Sequence, residues 1–472
     1  MKTAPAATGT GAQVLAEFCA GLAWDRLDPS VRERAKELLL DHIAVAIGGL
    51  AAESTRSAHA VLGRLAGGGR STVVGRDQCA PAEWAALANG TAAHAIEMDD
   101  CTRESSLHPG VTVIPAALAV AEEVGATTGS LLEAVVAGYE VTMRVGAALN
   151  PESAYRRGFH PTGVAGVFGA ATATGRILGL DTTQLASALG IAGTMASGSL
   201  EYLTDGAWTK RLTPGWAAHA GIVAAKLAGA GYLGPATVFE GPLGLLHAYS
   251  DAAQPERLTR HLGRPLRIMQ VAIKPYACCR YVHALIDGVF DLRQRYGLSP
   301  TGVTRVELGV LSLATDLVSD PIEGKRDPHS VVDAQFSAPY AAAVALVTGR
   351  AGIAEFSADY LAHPEIRRLM SVTDCHTDPS LDATFPDGMP GTVRLTLIDG
   401  RTVESRVDYP AGEPENPLSR EELLARFGEL ASPLLGVDEA RGIGSQVLGL
   451  EGDEPTEFVT ASLRVQFRGD TP

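Results

Sequence analysis

The most chemically capable stretch of the chain is HAIEMDDCTRESSLHPG. It places His94, Glu97, Asp99, Asp100, Thr102, Glu104 and His108 between two apolar segments of helical period. Spacing alone leaves three readings open: a solvated loop, an oxygen-rich site for magnesium or calcium, and a catalytic cluster. His108 precedes Pro109-Gly110 and the run VTVIPAALAVAEEV, so it stands where a helix begins and a side chain can face a cavity. A second segment, RRGFHPTGVAGVFGAA, sets His160 before Pro161 and a glycine-rich helix start. Backbone N–H groups that lack helical partners there make a cradle for a carboxylate, with a hydrogen-bonded structural histidine as the alternative. Two basic segments follow. DGAWTKRLTPGWAAHAG carries Lys210 and Arg211, either in a surface turn or at an anion, and IKPYACCRYVHALID carries Lys274, Tyr276, Cys279, Arg280 and His283. The latter breaks an apolar run where two domains are expected to meet, a common place for a ligand.

Helices must position most of these groups. From residue 12 to about 267 apolar residues recur at helical spacing, and Ser30 with Glu33 and Ser130 with Glu133 read as capping boxes at helix starts. Stretches such as GVAGVFGAATATGRILGL and GWAAHAGIVAAKLAGAGYLG are rich in Gly and Ala, which lets helix backbones approach closely. After residue 267 the texture changes to the alternating strands VTRVELGVLSL and GTVRLTLIDGRTVESRVDY, the second pair turning at Asp399-Gly400. FSAPYAAAVALVTG and HPEIRRLMSVT read as helices between them, so strands and helices fall in separate runs and a parallel nucleotide-binding sheet is not expected. AGEPENP, residues 411 to 417, reads as a linker. Ser419 and Glu422 then cap a helix, SREELLARFGEL, expected to return to the first domain. The tail EFVTASLRVQFRGDTP reads as a strand or a terminal arm, and no internal repeat is evident. The expected layout is a helical domain over 1–267 and 412–472 and an α+β domain over 268–411.

Composition narrows the partners. The 39 basic against 54 acidic residues give a net charge of −15, which opposes nonspecific binding to nucleic acid or to an anionic membrane. An anionic substrate would therefore need a local basic pocket. The longest apolar stretches, such as Ile43 to Ala52, fall short of a membrane span, and the N-terminus reads as a short disordered lead without the apolar core of a signal peptide. Six cysteines lack CxxC spacing, and the vicinal Cys278 and Cys279 are poorly placed for a structural disulfide, which fits a reducing cytoplasm. Walker, G-x-G-x-x-G, HExxH and G-x-S-x-G motifs are missing, so the common nucleotide, hydride, zinc and serine-hydrolase chemistries are not expected.

Taken in order, NGTAAHAIEMDD with its HPG, GFHPTG, TKRLTPGWAAHAG with the downstream GPLG, and IKPYACCRYVHALID resemble the MmgE/PrpD family. That family includes 2-methylcitrate dehydratase, cis-aconitate decarboxylase and iminodisuccinate epimerase. The resemblance implies a mainly α protein, with a large helical domain built from both chain ends and a smaller α+β lid, usually as a homodimer. It also implies an active site between the domains that uses Glu97, Thr102, His108, His160, Lys210 and Lys274. This chain departs from the family pattern in having Glu97 where Asp is usual, and in reading Asp99-Asp100-Cys101-Thr102 for Asp-Asp-Thr. It also has Cys279, with His283 four residues on, where decarboxylase-like members carry a histidine, and LSLATDLV where they carry a pocket tyrosine.

These residue types suit proton transfer at a carbon next to a carboxylate. Such a step needs a base that titrates near neutrality and a means of holding enediolate charge, which imidazole and ammonium groups provide together. The expected catalytic set is therefore His108 and His160 as a base and acid in either order, with Lys210 and Lys274. Glu97, Asp100, Thr102, Tyr276, Cys279 and His283 are expected to bind substrate. No cofactor and no metal are expected. The first expectation for the reaction is dehydration of a 2-methylcitrate-like hydroxy acid, with decarboxylation or epimerisation of a related polycarboxylate as alternatives. A ligand-binding relative without catalysis is the competing class, but both histidines and both lysines are retained here.

Overall fold

Apolar residues at helical spacing become helices through the first half of the chain. The structure, a computed structural model, describes residues 9–65 and 67–467. The helices used below are α1 (Gly11–Ala20), α2 (Pro29–Gly48), α3 (Glu53–Leu65), α4 (Ala82–Ala93), α5 (Gly110–Val124), α6 (Thr128–Leu149), α7 (Pro161–Ile177), α8 (Thr182–Met195) and α9 (Thr209–Gly229). Two expected caps fall two and three positions away from the structural ones. The Asp28 carboxylate, not Ser30, accepts from Ser30 N at the start of α2, because Pro29 suits the first helical position. Thr127, not Ser130, caps α6 in the same way, which leaves Glu133 to accept from Trp24 N and to pair with Arg176.

Helices α5 and α7 are buried on every face, Gly110–Glu122 and Pro161–Gly175 being buried without a break. A helix apolar all round belongs at the centre of a bundle. Helix α7 packs against α5, α6 and α9, and α9 packs against α4. Small residues set these distances: a Cβ on Gly169 would come within 1.7 Å of Thr142 Oγ1, and one on Gly215 within 2.3 Å of the Leu87 carbonyl. The close backbone approach expected from the Gly/Ala-rich segments is present at these crossings.

The chain divides into two compact units. One comprises the chain up to Ala95, Asp99–Val271 and everything from Ser419 onward; the other comprises Ile96–Met98 and Ala272–Leu418. In the first, α13 (Arg420–Leu435) has the full Ser419/Glu422 capping box and packs on α2, with Arg426 paired to Asp41 at 2.5 Å. It is followed by α14 (Val437–Leu448). The described part of the tail forms a helical turn at Glu457–Thr460, a 3-10 turn at Ala461–Leu463 and then an irregular arm, so it holds no strand among the described residues. Arg464 ties that arm to the buried Glu122, and Phe467 N donates to the Gly75 carbonyl.

The second unit holds a four-stranded sheet of order β4-β3-β5-β6, where β3 is Val303–Val310, β4 Thr373–Thr377, β5 Gly391–Leu397 and β6 Thr402–Val407. β5 and β6 form the expected hairpin, with Gly400 at φ +82° in its turn. β3 and β4 run parallel, an order that strand alternation did not show. Helix α10 (His283–Tyr296) packs on β5 and β6, α11 (Ala338–Thr348) packs on α10, and α12 (Pro364–Ser371) packs on α11. The expected linker at 411–417 is tied down: Gly412 accepts from Ile273 N, and Glu413, 1% exposed, pairs with Arg280. Two short antiparallel strands, β1 (Ser71–Thr72) and β2 (Cys79–Ala80), lie in the first unit. Among the described residues no single helix is long and apolar enough to cross a membrane.

Candidate active site

In the helical unit the polar segment after α4 folds back so that its histidines meet. His94 ends α4, His108 stands two residues before α5, and His160 is the residue immediately before α7. Their rings lie together: His94 and His108 centroids are 5.0 Å apart edge to face, and His94 and His160 are 5.9 Å apart and near parallel. Tyr202 meets the other side of His160 edge-on at 6.0 Å. The His160 backbone is anchored by its N–H to the Gly198 carbonyl at 2.9 Å, and its own carbonyl accepts from Gly163 and Val164 as α7 begins. His108 N donates to Thr162 Oγ1 at 3.2 Å, which fastens the start of α5 to α7.

The carboxylates of this segment have separate tasks. Asp99 Oδ2 lies 2.7 Å from His94 Nδ1 and 2.9 Å from His108 Nδ1. Asp100 Oδ1 accepts from Gly110 N at 2.9 Å at the N-terminus of α5, and Oδ2 accepts from the Tyr139 hydroxyl of α6 at 2.6 Å, so one carboxylate ties the two helices together. Burial, with the nearby Asp41 carboxylate, pushes Asp100 up to about 8 against the pull of those two hydrogen bonds. Burial holds His94 below the usual imidazole range; Asp99 pulls the other way and the Lys210 ammonium reinforces burial. The His94 contact to Asp99 is therefore a neutral N–H donating to a carboxylate rather than an ion pair. Lys210 is the second residue of α9, so the Lys210-Arg211 pair begins a helix and is not a surface turn. Thr102 bridges to Leu107 through its N–H, with its hydroxyl 3.2 Å from Ser105 Oγ.

The second unit has its own polar cluster. Glu97 adopts φ +57°, a left-handed conformation that costs a non-glycine residue energy, and Oε2 of its buried carboxylate lies 3.8 Å from Lys274 Nζ. Lys274 is itself fully buried. His283 is fully buried with both ring nitrogens engaged: Arg280 Nη1 donates to Nδ1 at 2.7 Å, and Nε2 lies 3.3 Å from the Cys278 carbonyl. Burial and the Arg280 and Lys274 charges keep this imidazole neutral. The Tyr276 hydroxyl donates to Asp287, and Cys279 N donates to the Gln335 carbonyl at 2.8 Å. All six cysteines are free, and burial pushes the Cys278 thiol well above its usual range.

Comparison with known proteins places this arrangement. The MmgE/PrpD N-terminal domain matches residues 13–258, and the MmgE/PrpD C-terminal domain matches residues 276–451. The chain belongs to the MmgE/PrpD family. This MmgE/PrpD chain is 32% identical to a cis-aconitate decarboxylase of Aspergillus terreus over 466 residues, 93% of each chain. It is 29% identical to the Homo sapiens cis-aconitate decarboxylase, over 94% of this chain and 92% of that one. The Mus musculus cis-aconitate decarboxylase is 27% identical, over 94% and 91%.

The MmgE/PrpD chain thus brings His108, His160 and Lys210 into one neighbourhood of its helical unit, and Glu97 and Lys274 into one in its second unit. Sequence reasoning gave no role to His94, which touches both other histidines, to Thr162 and Asp287, which lie within the quoted segments, or to Tyr139 and Tyr202, which arrive from distant ones. Among the described residues, His94, Asp99 and His108 could also hold a cation, one ligand atom from each lying within 4.8 Å of the others.

Proposed function

We propose that the protein is a lyase that acts on a tricarboxylate by proton transfer at a carbon next to a carboxylate, with decarboxylation of a cis-aconitate-like substrate as the first reading. A lyase is supported by family membership and by the cis-aconitate decarboxylases to which the chain is similar over almost its whole length. The observation that carries the proposal is the cluster of His108, His94 and His160, with Lys210 acting on it, in a largely buried part of the bundle. In decarboxylation the C–C bond to the departing carboxylate breaks, CO2 leaves, and the electron pair moves through the adjacent C=C bond to the carbon next to a remaining carboxylate, where an imidazolium protonates it. His160 or His108 supplies that proton. Lys210 and Lys274 neutralise the remaining carboxylates, and ammonium charge lowers the energy of the carbanion as it forms.

Dehydration is the second reading, and one observation favours it. Cys279 stands where decarboxylase-like members carry a histidine, and the nearby His283 has both nitrogens committed to Arg280 and the Cys278 carbonyl. In dehydration one imidazole removes the proton next to the carboxylate and the other protonates the departing hydroxide. The test is a panel of cis-aconitate, citrate, 2-methylcitrate and iminodisuccinate given to the purified, EDTA-treated protein. The proposal expects turnover of at least one, with CO2 release from cis-aconitate under the first reading. Turnover that vanishes with EDTA and returns with iron or magnesium would refute the metal-independent chemistry.

A further inference from the structure

We propose that Asp99 is a positioning residue that fixes His108 and His94 as Nδ1–H tautomers, so that Nε2, not Nδ1, is the atom through which His108 takes part in proton transfer. His108 Nδ1 lies 2.8 Å from the backbone carbonyl of Asp100 and 2.9 Å from Asp99 Oδ2. A carbonyl oxygen can only accept, so Nδ1 carries the hydrogen and the lone pair of the neutral ring resides on Nε2. The Asp99 carboxylate beside the same N–H stabilises the imidazolium that forms when Nε2 takes a proton.

His94 completes the device. Its Nδ1 lies 2.7 Å from the same Asp99 Oδ2, and its fully buried ring is held neutral, so its single N–H points to Asp99. Its Nε2 is buried and has no hydrogen-bond partner among the described residues. The opposite tautomer would leave an N–H unsatisfied in a dry interior and turn a lone pair toward a carboxylate. One carboxylate oxygen therefore orients two imidazoles, and only the His108 side chain, 17% exposed against 0% for His94, is open to a substrate. A cation held by these two Nδ1 atoms would require both to lose their hydrogens, which would turn the His108 lone pair onto the Asp100 carbonyl. Hydrogen bonding is the use of these atoms that satisfies every partner.

The role given to His108 rests on the proposed function, but the tautomers do not, and the experiment separates the two. Full-length protein labelled with 15N-histidine gives long-range 1H–15N spectra that distinguish Nδ1–H from Nε2–H, with His94→Gln and His108→Gln used for assignment. The expected result is Nδ1–H at both positions in the wild-type protein; Nε2–H at His108 overturns the proposal, whether or not Asp99→Asn folds. In Asp99→Asn, His94 is expected to lose its Nδ1–H preference, and turnover on the substrate found by the panel to fall at least ~100-fold with KM nearly unchanged. Full turnover in a folded Asp99→Asn protein would overturn it. Nδ1–H signals in a protein that turns over no polycarboxylate would sink the proposed function and leave the tautomer assignment standing.

Discussion

At the scale of single residues, proton transfer and charge binding separate into distinct kinetic effects. His160→Ala is expected to lower kcat by roughly 100- to 10,000-fold with little change in KM, because general acid–base catalysis acts in the transition state. Lys210→Ala and Lys274→Ala are expected mainly to raise KM, by about tenfold or more, since a hydrogen bond to a charged group contributes about 1.5–3 kcal/mol. Steady-state kinetics of the three variants checks the split. Asp100 makes a different, pH-linked contribution. Its folded value of about 8 lies above the ordinary carboxylate value of 3.8, so the folded protein binds the extra proton between those pH values. Its contribution to stability is full below about pH 4 and is lost as pH rises through 8. Asp100→Asn should flatten that part of the curve in denaturant titrations at several pH values, and an unchanged pH dependence would remove Asp100 as its source. The titratable residues beside helix starts, His108 and His160, were legible from sequence because Pro and Gly mark where helices begin. The task of Asp100 was not, because Tyr139 lies 39 positions away and only the fold brings it close.

At the scale of elements, the sequence showed where helices begin to within two or three residues, but not which side chain closes them. Ser30-x-x-Glu33 has the capping-box pattern, yet Pro29 moves the cap to Asp28, and Glu33 pairs instead with Lys36 at 2.8 Å. Asp28→Ala is expected to cost about 1 kcal/mol, the usual worth of an N-cap carboxylate. Chemical denaturation checks this, and a loss near zero would return the start of α2 to helix propensity alone. Close packing was easier to foresee, since runs of Gly and Ala have few other uses in a buried bundle. Gly169→Ala would drive a methyl against Thr142 and the Gly138 carbonyl, so we expect it to destabilise by roughly 1–3 kcal/mol through overpacking. The parallel β3 and β4 pair escaped the sequence reading because alternation marks a strand without saying which neighbour it joins or in which direction.

At the scale of the whole molecule, the two ends of the chain depend on each other. The Arg426 and Asp41 side chains are 7% and 2% exposed, and removing one partner of a buried pair leaves the other charge uncompensated. Arg426→Ala is therefore expected to cost about 3–5 kcal/mol, seen as a large drop in the denaturation midpoint. The return of α13 to α2 was legible from its capped, amphipathic pattern, whereas the anchoring of residues 411–417 was not, because their Pro, Gly and Glu composition is that of a linker until Arg280 is placed beside Glu413. We also propose a homodimer, which the family resemblance suggests and the exposed Trp208, Leu212 and Trp216, spaced four apart at the start of α9, support. Light scattering that shows only a monomer at micromolar concentration would count against it. The central claim, proton transfer next to a carboxylate by imidazole without a metal, is tested most directly by isotope. Chelated wild-type protein turning over cis-aconitate in D2O, followed by NMR, should release CO2 and place one deuterium on the product carbon next to a remaining carboxylate. The same experiment with His160→Ala should be slower by at least ~100-fold. Product that lacks deuterium at that carbon, or a His160→Ala rate equal to wild type, would contradict the account.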